Sequence, residues 1–264
     1  MILALDKAAI SRNFSAAAGA YDGWAAAQDD IAGGLVRRLP EGLSPAVVVE
    51  LGCGTGLLSR RLLARFPTAR LRGLDLAAGM VEACWRRLGG EGRARFEVAD
   101  AEAPGACAGP VDLVATSCSA QWFADPVGTF GRWARALAPD GVLAAALLVR
   151  GSYPELDRAH RAAFGAPFPG LALPSDDEAA ALLARAGLAP VSVDAEVVSV
   201  PYRSAREALG SFRGIGAVLR GQPGRGALGA GRARRLLAAY EALSAPGGAR
   251  VTHRVIHAIA GRAP

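Results

Sequence analysis

The stretch that most constrains this 264-residue chain is Val47-Val48-Val49-Glu50-Leu51-Gly52-Cys53-Gly54-Thr55-Gly56. It reads as a buried strand ending in an acidic residue and a turn with glycine at every second position. Glycine lets the backbone pass close to a ligand where a Cβ would collide, and it adopts positive φ without steric cost. The helix that follows, Leu57 to Phe66, would aim its free N–H groups at whatever occupies the turn. Strand, glycine turn and helix in that order specify an α/β unit with a nucleotide-like cofactor at its mouth.

Two phosphate-binding versions of this unit do not fit. The dinucleotide fingerprint needs glycine at 57, where the chain has Leu57; a P-loop needs a Gly-Lys pair, and Lys7 is the only lysine. The remaining pattern, Glu-x-Gly-x-Gly-x-Gly, resembles motif I of class I S-adenosylmethionine methyltransferases, whose ligand has a cationic amino acid end and no phosphate. That resemblance implies that Glu50 lies near the methionine end of the cofactor. Further strand-like runs end in polar residues, where an open α/β sheet binds its ligand. Leu71-Arg72-Gly73-Leu74-Asp75 delivers a carboxylate nineteen residues past Gly56, a spacing that lets it accept both ribose hydroxyls. Arg95 to Glu102 alternates and delivers Asp100, and Val111 to Ser117 ends in Thr116-Ser117.

Strand and helix patterns alternate without a linker from about residue 44 to 150, so one domain is expected over 1–264. Cap helices occupy 1–43, with Ile10, Phe14 and Ala17-Ala18 as one apolar stripe and Ile31, Leu35 and Leu39 as another. The cofactor core spans 44–150 and closes with a strand from Gly141 to Val149 after a Pro139-Asp140-Gly141 turn. The C-terminal half, 151–264, begins with a helix from Tyr153 to Phe164. Ser175 and Glu178 form a capping box for a helix ending at Gly187. A sixth strand, Val191 to Val200, and a seventh, Val251 to Ala260, flank a helical insertion at about 203–243, the expected substrate lid. The fold class is α/β, and the resemblance to class I methyltransferases implies a Rossmann-like, seven-stranded sheet whose last strand is antiparallel.

Other classes lose support from composition. No apolar run of about 18 residues lacks charge or glycine, so no membrane span is expected. Lys7 follows the short opening segment instead of preceding it, which is wrong for a signal peptide and points to a cytoplasmic protein. Cysteines at 53, 84, 107 and 118 lack C-x-x-C spacing, so buried free thiols are expected and neither a redox pair nor a zinc site is suggested. His253 and His257 would stand about 13 Å apart on a strand, too far to share an ion, and no metal is expected. The net charge of +6 concentrates in a C-terminal stretch holding Arg203, Arg206, Arg213, Arg220, Arg225, Arg232, Arg234 and Arg235. Only Tyr202, Phe212 and Tyr240 accompany them, which is thin for stacking nucleic-acid bases.

Beyond motif I, the Phe14-x6-Tyr21-Asp22-x5-Gln28 pattern, Gly73-Leu74-Asp75-Leu76, Asp100-Ala101-Glu102, Gln121-Trp122, Phe212 to Ala217 and the Arg250 to Ala260 strand resemble the malonyl-[acyl-carrier protein] O-methyltransferases of biotin synthesis. The likeness covers nearly the whole chain. His253 and His257 depart from it, standing where family members often have tyrosines, and Val218 stands where threonine is usual. The resemblance implies S-adenosylmethionine as co-substrate and a carrier protein bearing malonyl-phosphopantetheine as partner. For the cofactor it implies Phe14, Gln28, Glu50, Gly52, Cys53, Gly54 and Gly56 on one side. Asp75, Leu76, Met80, Asp100, Ala101, Glu102 and Ser117 form the other, with Asp100 on the adenine amino group and Gln28 on the amino acid end. Tyr21 is the implied active-site tyrosine, and Trp122 and Phe14 shape the pocket wall.

Methyl transfer to a carboxylate needs no general base, because an ordinary carboxyl group is ionised at pH 7. The demand is for positioning in a near-attack geometry. Arginine suits the holder's role through its rigid bidentate fork, and Arg213 is the expected one, with Arg203 in reserve. Three readings compete: a methyltransferase of a free small acid such as a tricarboxylate, which needs several inward cations, an RNA methyltransferase, and a cofactor-binding protein without catalysis. An RNA enzyme would normally carry Asn/Asp-Pro-Pro-aromatic, where this chain has Thr116-Ser117-Cys118-Ser119.

Overall fold

A computed structural model describes residues 5–107, 109–217, 229–244 and 248–263. Seven strands form one sheet in the order β3-β2-β1-β4-β5-β7-β6: β1 Val47–Leu51, β2 Arg70–Asp75, β3 Ala94–Val98, β4 Val111–Ser117, β5 Leu137–Leu148, β6 Leu188–Tyr202 and β7 Ala249–Arg262. β1 to β5 pair in parallel, and β7 runs antiparallel between β5 and β6. Strand order reverses at β1, whose neighbours are β2 and β4, so the crevice at its C-terminal end is the sheet's natural ligand site.

The valine-rich run of β1 has no polar alternation because both faces of the sheet are covered. Val48 and Leu113 face one core with Ile31, Leu35, Leu62 and Cys84; Val49 and Val114 face the other with Phe130, Trp133 and Leu183. The first layer comes from α2 Ala26–Arg38, α3 Leu57–Arg65 and α4 Ala78–Leu88, the second from α5 Pro126–Ala136 and α7 Asp176–Arg185. α6 Pro154–Phe164, α8 Ala205–Gly214 and α9 Ala230–Leu243 pack around Leu156, Ala208, Leu236 and Tyr240 at the ends of β6 and β7. α1 Lys7–Ala17 stands apart from these layers and packs on α4. The capping box forms, with the Glu178 N–H donating to Ser175 Oγ at 3.2 Å and the Ser175 N–H to Glu178 Oε2 at 2.7 Å.

Two expectations change, and a third falls partly outside the described residues. Pro139-Asp140-Gly141 does not precede the fifth strand as a free turn. β5 already pairs at Leu137 and absorbs the turn as a bulge opposite Val111 and Leu113, where a Cβ on Gly141 would stand 2.7 Å from the Val111 carbonyl oxygen. The insertion's described residues are two helices, α8 and α9, and its positions 218–228, with Arg220 and Arg225, lie outside the described residues. Of the four thiols, Cys53 and Cys84 are buried, but Cys107 and Cys118 are only half-buried. His253 packs edge-on to Tyr153, and His257 Nε2 lies 2.8 Å from Glu196 Oε2, so the two have separate partners.

Candidate active site

The strand ends of β1 to β4 open into a cleft of about 720 Å³, partly open to solvent and roofed by α1 and by 3₁₀ turns at Tyr21–Gly23 and Ala120–Trp122. The glycine turn wraps the end of β2: the Gly52 and Cys53 N–H groups both donate to the Leu74 carbonyl, at 2.8 and 2.9 Å, and Gly54 N–H donates to Asp75 Oδ2 at 2.9 Å. All three glycines have positive φ. A Cβ on Gly52 would collide with Ser119 Oγ, whereas one on Gly54 would meet no protein atom within 4 Å. The turn therefore leaves open space above Gly54 at the cleft, room that the cofactor implied by the pattern could use.

Asp75 lines this space. Its Oδ1 accepts from Ala77 N–H at 2.8 Å, so each oxygen holds one backbone donor and keeps capacity for a hydroxyl. Burial raises the Asp75 pKa, and the two N–H bonds oppose that shift. Past β3, Asp100 and Glu102 line the far end, where Lys7 of α1 contacts both carboxylates, at 2.6 and 2.5 Å. At the near end, Tyr21 packs with Ala18, Ala77, Met80 and Phe14. Burial, reinforced by Cys118 and Asp75, pushes the Tyr21 hydroxyl far above its usual range, so it stays protonated and can donate a hydrogen bond. Phe14 meets Trp122 edge-to-face with centroids 5.3 Å apart, closing one wall against water.

What sets Tyr21 in place is its neighbour. Asp22 accepts from Thr55 Oγ1 at 2.6 Å and pairs with Arg87, whose Nη1 donates to the Thr55 carbonyl at 2.8 Å. A three-residue clasp thus ties the tyrosine's turn to the glycine turn and to α4.

Of the residues assigned to the site from sequence, Phe14, Tyr21, Gly52, Gly54, Asp75, Leu76, Met80, Asp100, Ala101, Glu102, Ser117 and Trp122 line the cleft together. Five expected residues do not line it. Glu50 is buried beneath the turn, accepting from Ser59 Oγ at 2.5 Å, and burial, opposed by that bond and reinforced by Asp75, raises its pKa to about 8. Cys53 is buried under the turn beside Gly73, Gly56 caps α3, and Gln28 is buried in α2. Arg213 is exposed near the end of α8, and the reserve candidate Arg203 is exposed and paired with Glu207 at 3.2 Å. Among the described residues no arginine lines the cleft, and its one cation, Lys7, already faces two carboxylates. Lys7, Cys118 and Ser119 line the site without having been assigned a part in it. Cys118, with φ +52, sits at the bend after β4, which no spacing rule marks.

Sheet order, antiparallel β7 and a glycine-paved cleft at the switch point define a class I methyltransferase, and residues 48–141 match the methyltransferase-domain family. The YcgJ protein of Bacillus subtilis shares the fold, with a TM-score of 0.62 at 16% identity over 89% of this chain and 99% of that one. More narrowly, the chain belongs to the malonyl-[acyl-carrier protein] O-methyltransferase family. It is 31% identical to the Hahella chejuensis protein of that name over 96% of this chain and 89% of the relative. It also shares 35% identity with the biotin biosynthesis bifunctional protein BioCD of Bordetella avium, over 79% of this chain and 43% of that protein.

Proposed function

We propose that this enzyme transfers the methyl group of S-adenosylmethionine to the free carboxylate of malonyl-acyl carrier protein, giving the methyl ester at an early step of biotin synthesis. The observation that carries the proposal is the family identity running through the cap as well as the core, together with Phe14 and Tyr21 of the cap and Trp122 of the core lining a single cleft. When bound, the cofactor supplies an electrophilic methyl carbon on a sulfonium. Asp75 would hold its ribose, Asp100 its adenine, and the space over Gly54 its amino acid end.

The chain's own work is then to bind and orient. The acceptor carboxylate is ionised at neutral pH, so no residue needs to remove a proton. Tyr21, held protonated by its surroundings, would donate one hydrogen bond to it, and Ser117 and Ser119 offer hydroxyls nearby. A neutral hydroxyl site leaves the carboxylate less stabilised than an arginine fork would, and therefore more reactive. It also suits a mono-anion better than a tricarboxylate, because no several inward cations are available among the described residues. Phe14 and Trp122 would exclude water. Ile215-Gly216, just after α8, packs on α1, where a Cβ on Gly216 would lie 3.2 Å from the Phe14 Cα, so the C-terminal end of α8 borders the cleft's roof. Arg206 and Arg213 on α8 and Arg234 on α9 are exposed and would attract an acidic carrier.

The test is a mass-spectrometric assay of purified protein with S-adenosylmethionine and either malonyl carrier protein or a free tricarboxylate. Gain of one methyl group on the carrier-linked acyl chain is expected; transfer to the free acid alone would overturn the substrate. Tyr21→Phe should lower kcat by roughly 10- to 100-fold, the value of a hydrogen bond to a charged group, with the melting temperature nearly unchanged.

A further inference from the structure

α1 is held across the cleft by a polar stripe. Lys7, Ser11 and Ser15 recur every four residues and share one helix face. Each meets a different segment of the cofactor end of the sheet. Lys7 Nζ lies 2.6 Å from Asp100 Oδ2 and 2.5 Å from Glu102 Oε2; Ser11 Oγ donates to the Leu76 carbonyl at 3.0 Å; Ser15 Oγ accepts from Gly79 N–H at 3.2 Å. Ile10 and Phe14, again four apart, line the cleft beneath.

The two carboxylates around Lys7 are not equivalent. Glu102 is only 8% exposed and is pinned by three further donors: Ala124 N–H at 3.0 Å, Asp125 N–H at 2.8 Å and Thr129 Oγ1 at 3.2 Å. It is a fixed post. Asp100 is a third exposed and has fewer restraints, with Oδ1 accepting from the Glu102 N–H at 2.9 Å and Oδ2 facing Lys7. A carboxylate offers about four lone-pair sites, so each Asp100 oxygen can still accept another donor.

We propose that Lys7 is a positioning residue for the adenine end of the cofactor: tethered on Glu102, its ammonium fixes the Asp100 carboxylate in the orientation that accepts the exocyclic amine. The same contact draws α1 down over the ring, so adenine recognition and closure of the cap share one side chain. This rests on the S-adenosylmethionine reading.

The experiment measures calorimetric binding of S-adenosylhomocysteine and of its inosine counterpart, in which a carbonyl oxygen replaces the amine. Wild type, Lys7→Met and Lys7→Arg are compared. Lys7→Met should weaken the adenosine ligand about 10-fold, near 1.4 kcal/mol, and Lys7→Arg should restore most of the loss. The inosine ligand should bind wild type more weakly and be nearly indifferent to Lys7→Met, because it brings no amine for Asp100 to accept. Equal losses for both ligands would reduce Lys7 to cap glue and overturn the proposal, as would no loss for either. Failure of wild type to bind either ligand would strike the cofactor reading instead. A second measurement needs no variant. Lys7 is the chain's only lysine, so an amine-directed reagent followed by digestion reads its labelling directly. The adenosine ligand should protect it strongly and the inosine ligand weakly; equal labelling with and without the adenosine ligand would also overturn the proposal.

Discussion

Glu50 was legible as the acidic end of a strand beside the glycine turn, but its chemical state was not, because that depends on what closes over it. In the fold it is 1% exposed, with Ser59 Oγ as hydrogen-bond donor, and burial raises its pKa to about 8. Between the ordinary value of 4.5 and about 8, the native state keeps a proton that the unfolded chain has lost. Stability should therefore fall as pH rises through that window and level off above it. Glu50→Gln keeps an acceptor for Ser59 and removes the charge. The variant should melt close to wild type at pH 5 and above it at pH 8.5, with a gain of order 2–4 kcal/mol once wild-type Glu50 must ionise in place. Thermal melts at the two pH values check this, and an identical offset at both would show that the carboxyl does not titrate in this range. Arg213 illustrates the opposite limit of sequence reading. Its segment looked right, yet helix phase and burial decide which side chains enter a cleft, and it lies exposed.

Elements carry the next level of the design, and here the sequence spoke clearly wherever a signal is local. The capping box at Ser175, the glycine turn and the strand-end carboxylates are spaced by neighbours in the chain, and each forms where its spacing puts it. The cap is different. Its hold on the core runs through Asp22 to Thr55 and Arg87, and through Lys7 to Asp100 and Glu102, pairs that lie 33 to 95 positions apart and leave no local periodicity. The bulge in β5 is equally long-range, since it answers a register shift against β4. Because the clasp at Asp22 joins partly exposed groups, its stability value is modest. Asp22→Ala should cost about 1 kcal/mol and yet lower kcat/KM by at least about 10-fold, because freeing the Tyr21 turn misplaces a group that acts by position. Chemical denaturation alongside steady-state kinetics separates the two. A large stability loss with unchanged kinetics in the folded enzyme would mean that the clasp serves folding alone.

At the scale of the whole molecule, charge and site are arranged on different principles. The cleft is lined by carboxylates, hydroxyls and one lysine already engaged, while the excess of positive charge lies outside it, with exposed arginines on α8 and α9. Some of these have local work: Arg232 stacks on Phe164 at 4.3 Å, and Arg235 donates to the Ala163 carbonyl at 2.7 Å. Arg206, Arg213 and Arg234 are left facing solvent. Exposed surface charges act on encounter rates, fall off with screening, and do nothing for a small neutral-tailed substrate that reaches the cleft by diffusion. Carrier-linked and free malonyl thioesters should therefore respond differently to salt. Between about 50 and 500 mM, kcat/KM on the carrier substrate should drop roughly 10-fold while that on the free thioester moves less than about twofold. Replacing Arg206, Arg213 and Arg234 together by glutamine should flatten the first curve and leave the second in place. Parallel curves in the wild type would mean that the arginines do not meet the carrier, and that the overall charge of +6 serves some end other than docking.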